Sequence, residues 1–151
     1  MLGEGGAELT RKLWLDTETR SPTPIKHGTA KYAEAAEVIL FAWAIDDKNP
    51  SVIDRLNNES FPPELLDALH KADEVFFQNA WFDWTVMETD PDPSIRFICE
   101  MVEPARRRDT MVQAYLHSLP GALEAMCAAL GVSDEKAKDK RGRGLIQKFC
   151  V

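Results

Sequence analysis

"LWLDTETRS" (residues 13–21) runs from an apolar stretch straight into two carboxylates, Asp16 and Glu18, set two positions apart. The stretch 12–16, "KLWLD", reads as a short buried strand that ends at an acid. In extended backbone, side chains two apart share a face, so the two carboxylates project together. Adjacent negative charges repel, and such a pair is costly unless a cation, a proton or water relieves it. Carboxylate oxygens are preferred ligands of Mg²⁺ and Mn²⁺, so a D-x-E at a strand end is half of a divalent-metal site. Taken alone, the pair is a weak signal, and a solvated strand end is its ordinary reading.

Working outward, 37–46 ("EVILFAWAID") is a strand rich in β-branched and aromatic residues, and 51–54 ("SVID") follows an Asn-Pro turn as its hairpin partner. Residues 62–72 start with Pro and carry Leu65, Leu66 and Leu69 as a helical stripe. Residues 73–79 ("DEVFFQN") form another short strand, and 80–90 continue as a helix with Asn79 near its N-cap. "DPDPS" breaks the pattern, and helical periodicity returns over 109–119 and 122–131, with Asp109 as N-cap and Gly131 as C-cap. The order predicts an α/β fold: a mixed sheet, built from an antiparallel hairpin and two parallel strands, flanked by helices.

The acids at the strand end have candidate partners. "NAWFD" places Asp83 one helical turn after Asn79. In open α/β sheets chemistry gathers at the carboxyl ends of parallel strands. If strands 12–16 and 73–79 are neighbours, Asp16, Glu18 and Asp83 converge. Standing alone, Asp83 is also a first-turn acid that suits the helix dipole.

Bulk properties set the outer limits. The chain has 151 residues, 44% hydrophobic and 28% charged, enough for one domain with a core. No apolar run is long enough to span a bilayer, and the first residues lack the apolar region of a secretory leader. Cys99, Cys127 and Cys150 have no C-x-x-C spacing and suit a reducing cytosol. The expectation is a cytoplasmic protein without a membrane partner. A net charge of −7 argues against holding nucleic acid by phosphate neutralisation alone. Bound divalent cations would reverse that charge locally.

"DTET", "NAWFD" and "RDTMVQAYLHSLPGALEAMCAALGV" together resemble the 3′–5′ proofreading exonuclease domain of phage-type family A DNA polymerases. Lys26, Gly28 and Tyr32 match the Lys-x-Gly-x-x-x-Tyr segment of the phage form, and "KDKRGRGLIQKF" is similar to its Lys/Gly-rich stretch. The resemblance runs from about Lys12 to Val151. It implies a ribonuclease-H-like fold and a DEDD exonuclease, with residues 1–11 a flexible lead-in and 12–151 the exonuclease-like domain. Asp16 and Glu18 match the acids of the first motif, Asp83 the acid of the second, and Asn79 its accompanying amide. The resemblance makes Asp16, Glu18 and Asp83 catalytic and ligands of two Mg²⁺ or Mn²⁺ ions. Asn79, Thr17 and Thr19 are then the substrate-binding candidates.

The implied substrate is a single-stranded DNA 3′ end, in a host cytosol if the protein is phage-encoded. The third motif, Tyr-x-x-x-Asp, is not found: Tyr115 is followed by Leu119 and Tyr32 by Ala36. By analogy it lies beyond Val151, on a missing C-terminal segment next to a polymerase module, and the piece by itself is expected to have low activity. Two alternatives stay open: an RNA exonuclease similar to ribonuclease D, and a non-catalytic scaffold that keeps the fold. Elsewhere, Arg106–Arg108 and 136–143 read as solvated charge, and Trp84 as core.

Overall fold

The computed structural model describes residues 11–133. The lead-in up to residue 10, the charged stretch 134–144 and "LIQKFCV" (145–151) lie outside the described residues. Arg11, expected in the lead-in, is tied down: its N–H donates to Asp73 Oδ2 at 2.7 Å and its carbonyl accepts from Asp73 N at 2.9 Å.

Five strands form one mixed sheet. They are β1 (Lys12–Arg20), β2 (Glu37–Ile45), β3 (Ser51–Asp54), β4 (Glu74–Phe77) and β5 (Arg107–Asp109). Their order is β3-β2-β1-β4-β5, with β2 antiparallel to β1 and β3, and β4 parallel to β1 and β5. The helices are α1 (Thr29–Ala33), α2 (Pro63–Lys71), α3 (Ala80–Thr89), α4 (Pro93–Met101), α5 (Thr110–Leu116) and α6 (Leu123–Ala129). This mixed sheet with flanking helices is the α/β, ribonuclease-H-like class the sequence led to. The expected hairpin is present as β2–β3.

Three elements differ from the expectation. β1 does not stop at Asp16: it continues to Arg20, because β2 pairs with it along its length, with a bulge between Glu18 and Thr19. Its parallel partner β4 pairs only from Lys12 to Trp14, so Asp16 still lies just past the carboxyl end of the parallel pairing. β5 was missed because its sequence, Arg-Arg-Asp, has no apolar pattern to read. α4 was missed behind "DPDPS", although the break is itself a start signal. Asp92 accepts from Ser94 N as N-cap, Pro93 takes the first turn, and Ile95, Ile98 and Cys99 form the buried stripe.

Alternation along the strands builds the core. Leu13 and Leu15 of β1, Phe41, Trp43 and Ile45 of β2, Ile53 of β3, and Val75 and Phe77 of β4 point to one face and are buried. Leu65, Ala68 and Leu69 of α2, Val86 and Met87 of α3, and Ile95 and Ile98 of α4 join them in one cluster.

Arg106, Arg107 and Arg108 are not a solvated run. Arg106 donates to the carbonyls of Leu69, Ala72 and Met101, closing the C-terminal ends of α2 and α4. Arg107 donates to the carbonyls of Val102 and Cys99 and lies 4.1 Å from the Trp84 ring centroid. Arg108 pairs with Glu74 at 2.9 Å. The run was misread because adjacent arginines carry no sign of the unsatisfied helix-end carbonyls they meet.

Candidate active site

Asp16 and Glu18 occupy β1 positions of like parity, opposite Ala42 and Leu40 of β2. Thr17, between them, has the parity of the buried Leu13–Leu15 face. On that side α3 brings up Asp83, which is only 4% exposed. Thr17 Oγ1 donates to Asp83 Oδ1 at 2.6 Å. Residues 66 apart in the chain are thereby locked together.

The position of Asp83 is set by the turn before it. β4 ends at Phe77, and Asn79 adopts a left-handed conformation (φ 63°, ψ 50°) that redirects the chain into α3. Asn tolerates that region better than most residues. Asn79 stands at the N-cap position as expected, but its side chain does not cap the helix. The capping acceptor is Asp109, at the end of β5. Its carboxylate accepts from Asn79 N at 3.1 Å, from Ala80 N at 2.9 Å and from Met111 N at 2.8 Å. One acid thus holds the first turns of both α3 and α5, which satisfies orphan N–H groups and suits both helix dipoles. Asp109 was expected only to cap α5. Its hold on α3 has no signal in the sequence, since it depends on β5 lying beside β4.

Burial is the main influence on Asp83 and pushes its pKa from the usual carboxylate range up to about 7. The Thr17 hydrogen bond opposes that rise, and the nearby negative charge of Asp16 adds to it. The acids of the first and second candidate motifs are therefore close enough to feel each other. Thr19, the other hydroxyl named from sequence, is buried, with its Oγ1 2.9 Å from Tyr32 Oη. Tyr32 in turn packs on Phe82, ring centroids 5.7 Å apart. Thr19 sits inside the core that carries the α1–α3 contact. Trp84 is core, as expected, while Trp81 is 63% exposed.

A divalent cation fits this place in donor chemistry: the available groups are carboxylate and hydroxyl oxygens with excess negative charge. The arrangement is not closed around an ion. Among the described residues no three His, Cys, Asp or Glu side chains are gathered closely enough to hold one. Asp16 and Glu18 share a parity along β1, whereas the Asp83 carboxylate is drawn to Thr17 on the helical side.

No family model matches the chain. Among curated proteins, it is similar to the DNA polymerase of Bacillus phage SP02, with 34% identity over 145 residues. That similarity takes in 93% of this chain and 21% of the phage protein, so the chain spans about a fifth of its relative's length. Among the described residues no helix is long and apolar enough to cross a membrane.

Proposed function

We propose that this chain is a polymerase-associated 3′–5′ exonuclease domain, acting on single-stranded DNA 3′ ends. The observation that carries the reading is the Thr17–Asp83 hydrogen bond, which ties the buried acid of α3 to the residue between Asp16 and Glu18, past the carboxyl end of the parallel pairing. A domain with only a structural task gains nothing from bringing a second negative charge to a carboxylate already starved of water. The similarity to a phage DNA polymerase supports the same reading.

In this reading Asp16, Glu18 and Asp83 would hold the divalent ions, which would supply an acidified attacking water and offset charge on the leaving oxygen. The chain's own residues do the rest. Thr17 holds the Asp83 carboxylate by donating its hydroxyl proton. Asp109 fixes the first turn of α3 and with it the placement of Asp83. Asn79, on the same turn, offers an amide for the terminal nucleotide. The third motif of the exonucleases this sequence resembles is not present between residues 1 and 151, so this chain alone is expected to turn over slowly.

The test joins metal binding to nuclease activity. Mn²⁺ titrated into the chain should bind with an affinity that Asp16→Asn and Asp83→Asn each weaken about ten-fold or more. A 5′-labelled oligodeoxynucleotide should shorten slowly from its 3′ end only with Mn²⁺ or Mg²⁺, and not with the Asp16→Asn chain. Mn²⁺ affinity unchanged in both variants overturns the reading. Faster shortening of an RNA oligonucleotide would move the substrate to RNA. The second reading is a scaffold that keeps the fold without chemistry. It is favoured by the lack of a closed three-carboxylate group among the described residues, and absence of any Mn²⁺ binding would establish it.

A further inference from the structure

The stretch that follows Glu18 reverses the charge of the chain. Residues 19–33 contain Arg20, Lys26, His27 and Lys31 and no Asp or Glu, in a chain of net charge −7. Arg20 pairs with Glu37, and Lys31 with Glu34. Lys26 and His27 are exposed and enter no ion pair among the described residues. Lys12, at the first position of β1, is the other described lysine outside an ion pair.

The loop that carries Lys26 is fastened to the candidate site. Ser21 Oγ donates to the Tyr32 carbonyl at 2.9 Å and accepts from Thr23 N at 3.1 Å. His27 N and Gly28 N donate to the carbonyls of Pro24 and Ile25 at 3.0 and 2.9 Å, which closes the 3₁₀ turn Ile25–His27. Gly28 then takes φ 93° and ψ 155°, a conformation that a Cβ disfavours, and leads the chain into α1. Tyr32 of α1 meets both elements that carry the acids. Its Oη lies 2.9 Å from Thr19 Oγ1, and its ring packs on Phe82. Thr19 follows Glu18 in β1, and Phe82 precedes Asp83 in α3. Along helical backbone the stretch from Lys26 to Tyr32 spans roughly 10 Å, the length of about three nucleotides stacked at 3.4 Å.

We propose that Lys26, presented by this fixed turn, contacts a backbone phosphate of the single strand whose 3′ end reaches Asp16, Glu18 and Asp83. The inference rests on the exonuclease reading and adds a substrate contact to it. Three carboxylates repel an approaching phosphodiester chain, so the strand needs a cation close to them but not neutralised by them. An ammonium on an acid-free turn offers itself to a phosphate without first breaking an ion pair.

Fluorescence anisotropy of a labelled single-stranded oligodeoxynucleotide, measured on the full chain in EDTA across a salt series, tests it. Lys26→Ala should bind more weakly than wild type at low salt. Its plot of log affinity against log salt should be flatter by about 0.7, the share of one phosphate contact on a single strand. Lys26→Arg should restore both affinity and slope. Lys48→Ala should match wild type, because Lys48 pairs with Glu64 and follows the end of β2 that lies beside the start of β1. Equal slopes for wild type and Lys26→Ala, an equal loss in Lys48→Ala, or no binding by wild type each overturn the proposal. The exonuclease reading falls on a different result, Mn²⁺ affinity unchanged by Asp16→Asn and Asp83→Asn, so the two failures are told apart.

Discussion

Thr17 Oγ1 donates to Asp83 Oδ1 at 2.6 Å, joining the strand that carries the first pair of acids to the helix that carries the third. The hydroxyl acts on this buried carboxylate beside backbone N–H groups of Thr17 and Asp83. Thr17→Val keeps the shape and removes that donor. It should lower stability at pH 8 by about 1–3 kcal/mol, the usual loss when a hydrogen bond to a charged group is removed, whereas Thr17→Ser should stay near wild type. Urea denaturation of the three proteins decides it.

Stability should depend on pH through Asp83 in the metal-free protein. Its pKa is raised from the ordinary carboxylate value of 3.8 to about 7, so between those limits the folded chain binds a proton that the unfolded chain has lost. Stability should therefore fall as pH rises from about 4 to 7, by at most roughly 4 kcal/mol. Buried Asp90, whose pKa is also raised by burial, adds in the same direction. Asp83→Asn removes its share, so the variant's unfolding midpoint should vary much less between pH 5 and pH 8. An unchanged pH slope in that variant would show that Asp83 is ionised throughout.

A divalent ion should reverse that trend. Binding to the folded state alone stabilises by about 2.7 kcal/mol when the ion is at a hundred times its dissociation constant. Because ligands must be deprotonated, the gain should be larger at pH 8 than at pH 6. Thermal melts with and without Mn²⁺ at the two pH values, on wild type and Asp16→Asn, measure it. Equal melting temperatures with and without the ion at pH 8 would rule out a site.

Asp109→Ala should destabilise more than the loss of an ordinary helix cap. The carboxylate accepts from Asn79, Ala80 and Met111, so its removal opens the first turns of α3 and α5 together. The expected loss is about 2–4 kcal/mol against about 1 for a single cap. Asp109→Asn, which keeps one acceptor oxygen, should lose about half of that. Guanidinium unfolding of both variants checks the ranking.

Arg106→Met retains the aliphatic stem but strips the donors from the carbonyls of Leu69, Ala72 and Met101. A loss of about 2 kcal/mol is expected, where a lysine-rich surface position such as Lys71→Met should change stability by less than about 0.5 kcal/mol. A denaturation pair of this kind separates helix-end capping from surface charge.

What the residue order determined was local. Alternation made β1 and β2 strands, the Pro-started stripe made α2, and "D-x-E" put Asp16 and Glu18 on one parity of one strand. Those properties follow from backbone periodicity and survive without knowledge of neighbours. The mixed five-stranded sheet was legible in outline for the same reason, while β5 was not, since three polar residues become a strand only when β4 offers them an edge.

Tertiary structure alone decided what surrounds the acids. Thr17 became the partner of Asp83, Asp109 the anchor of the turn before it, and Arg106 and Arg107 caps for helix ends rather than a solvated surface. The physical reason is common to all three. A hydrogen-bond donor or acceptor declares its chemistry in the sequence, but its partner is whichever unsatisfied group the packed core leaves beside it, and that is a matter of three-dimensional proximity.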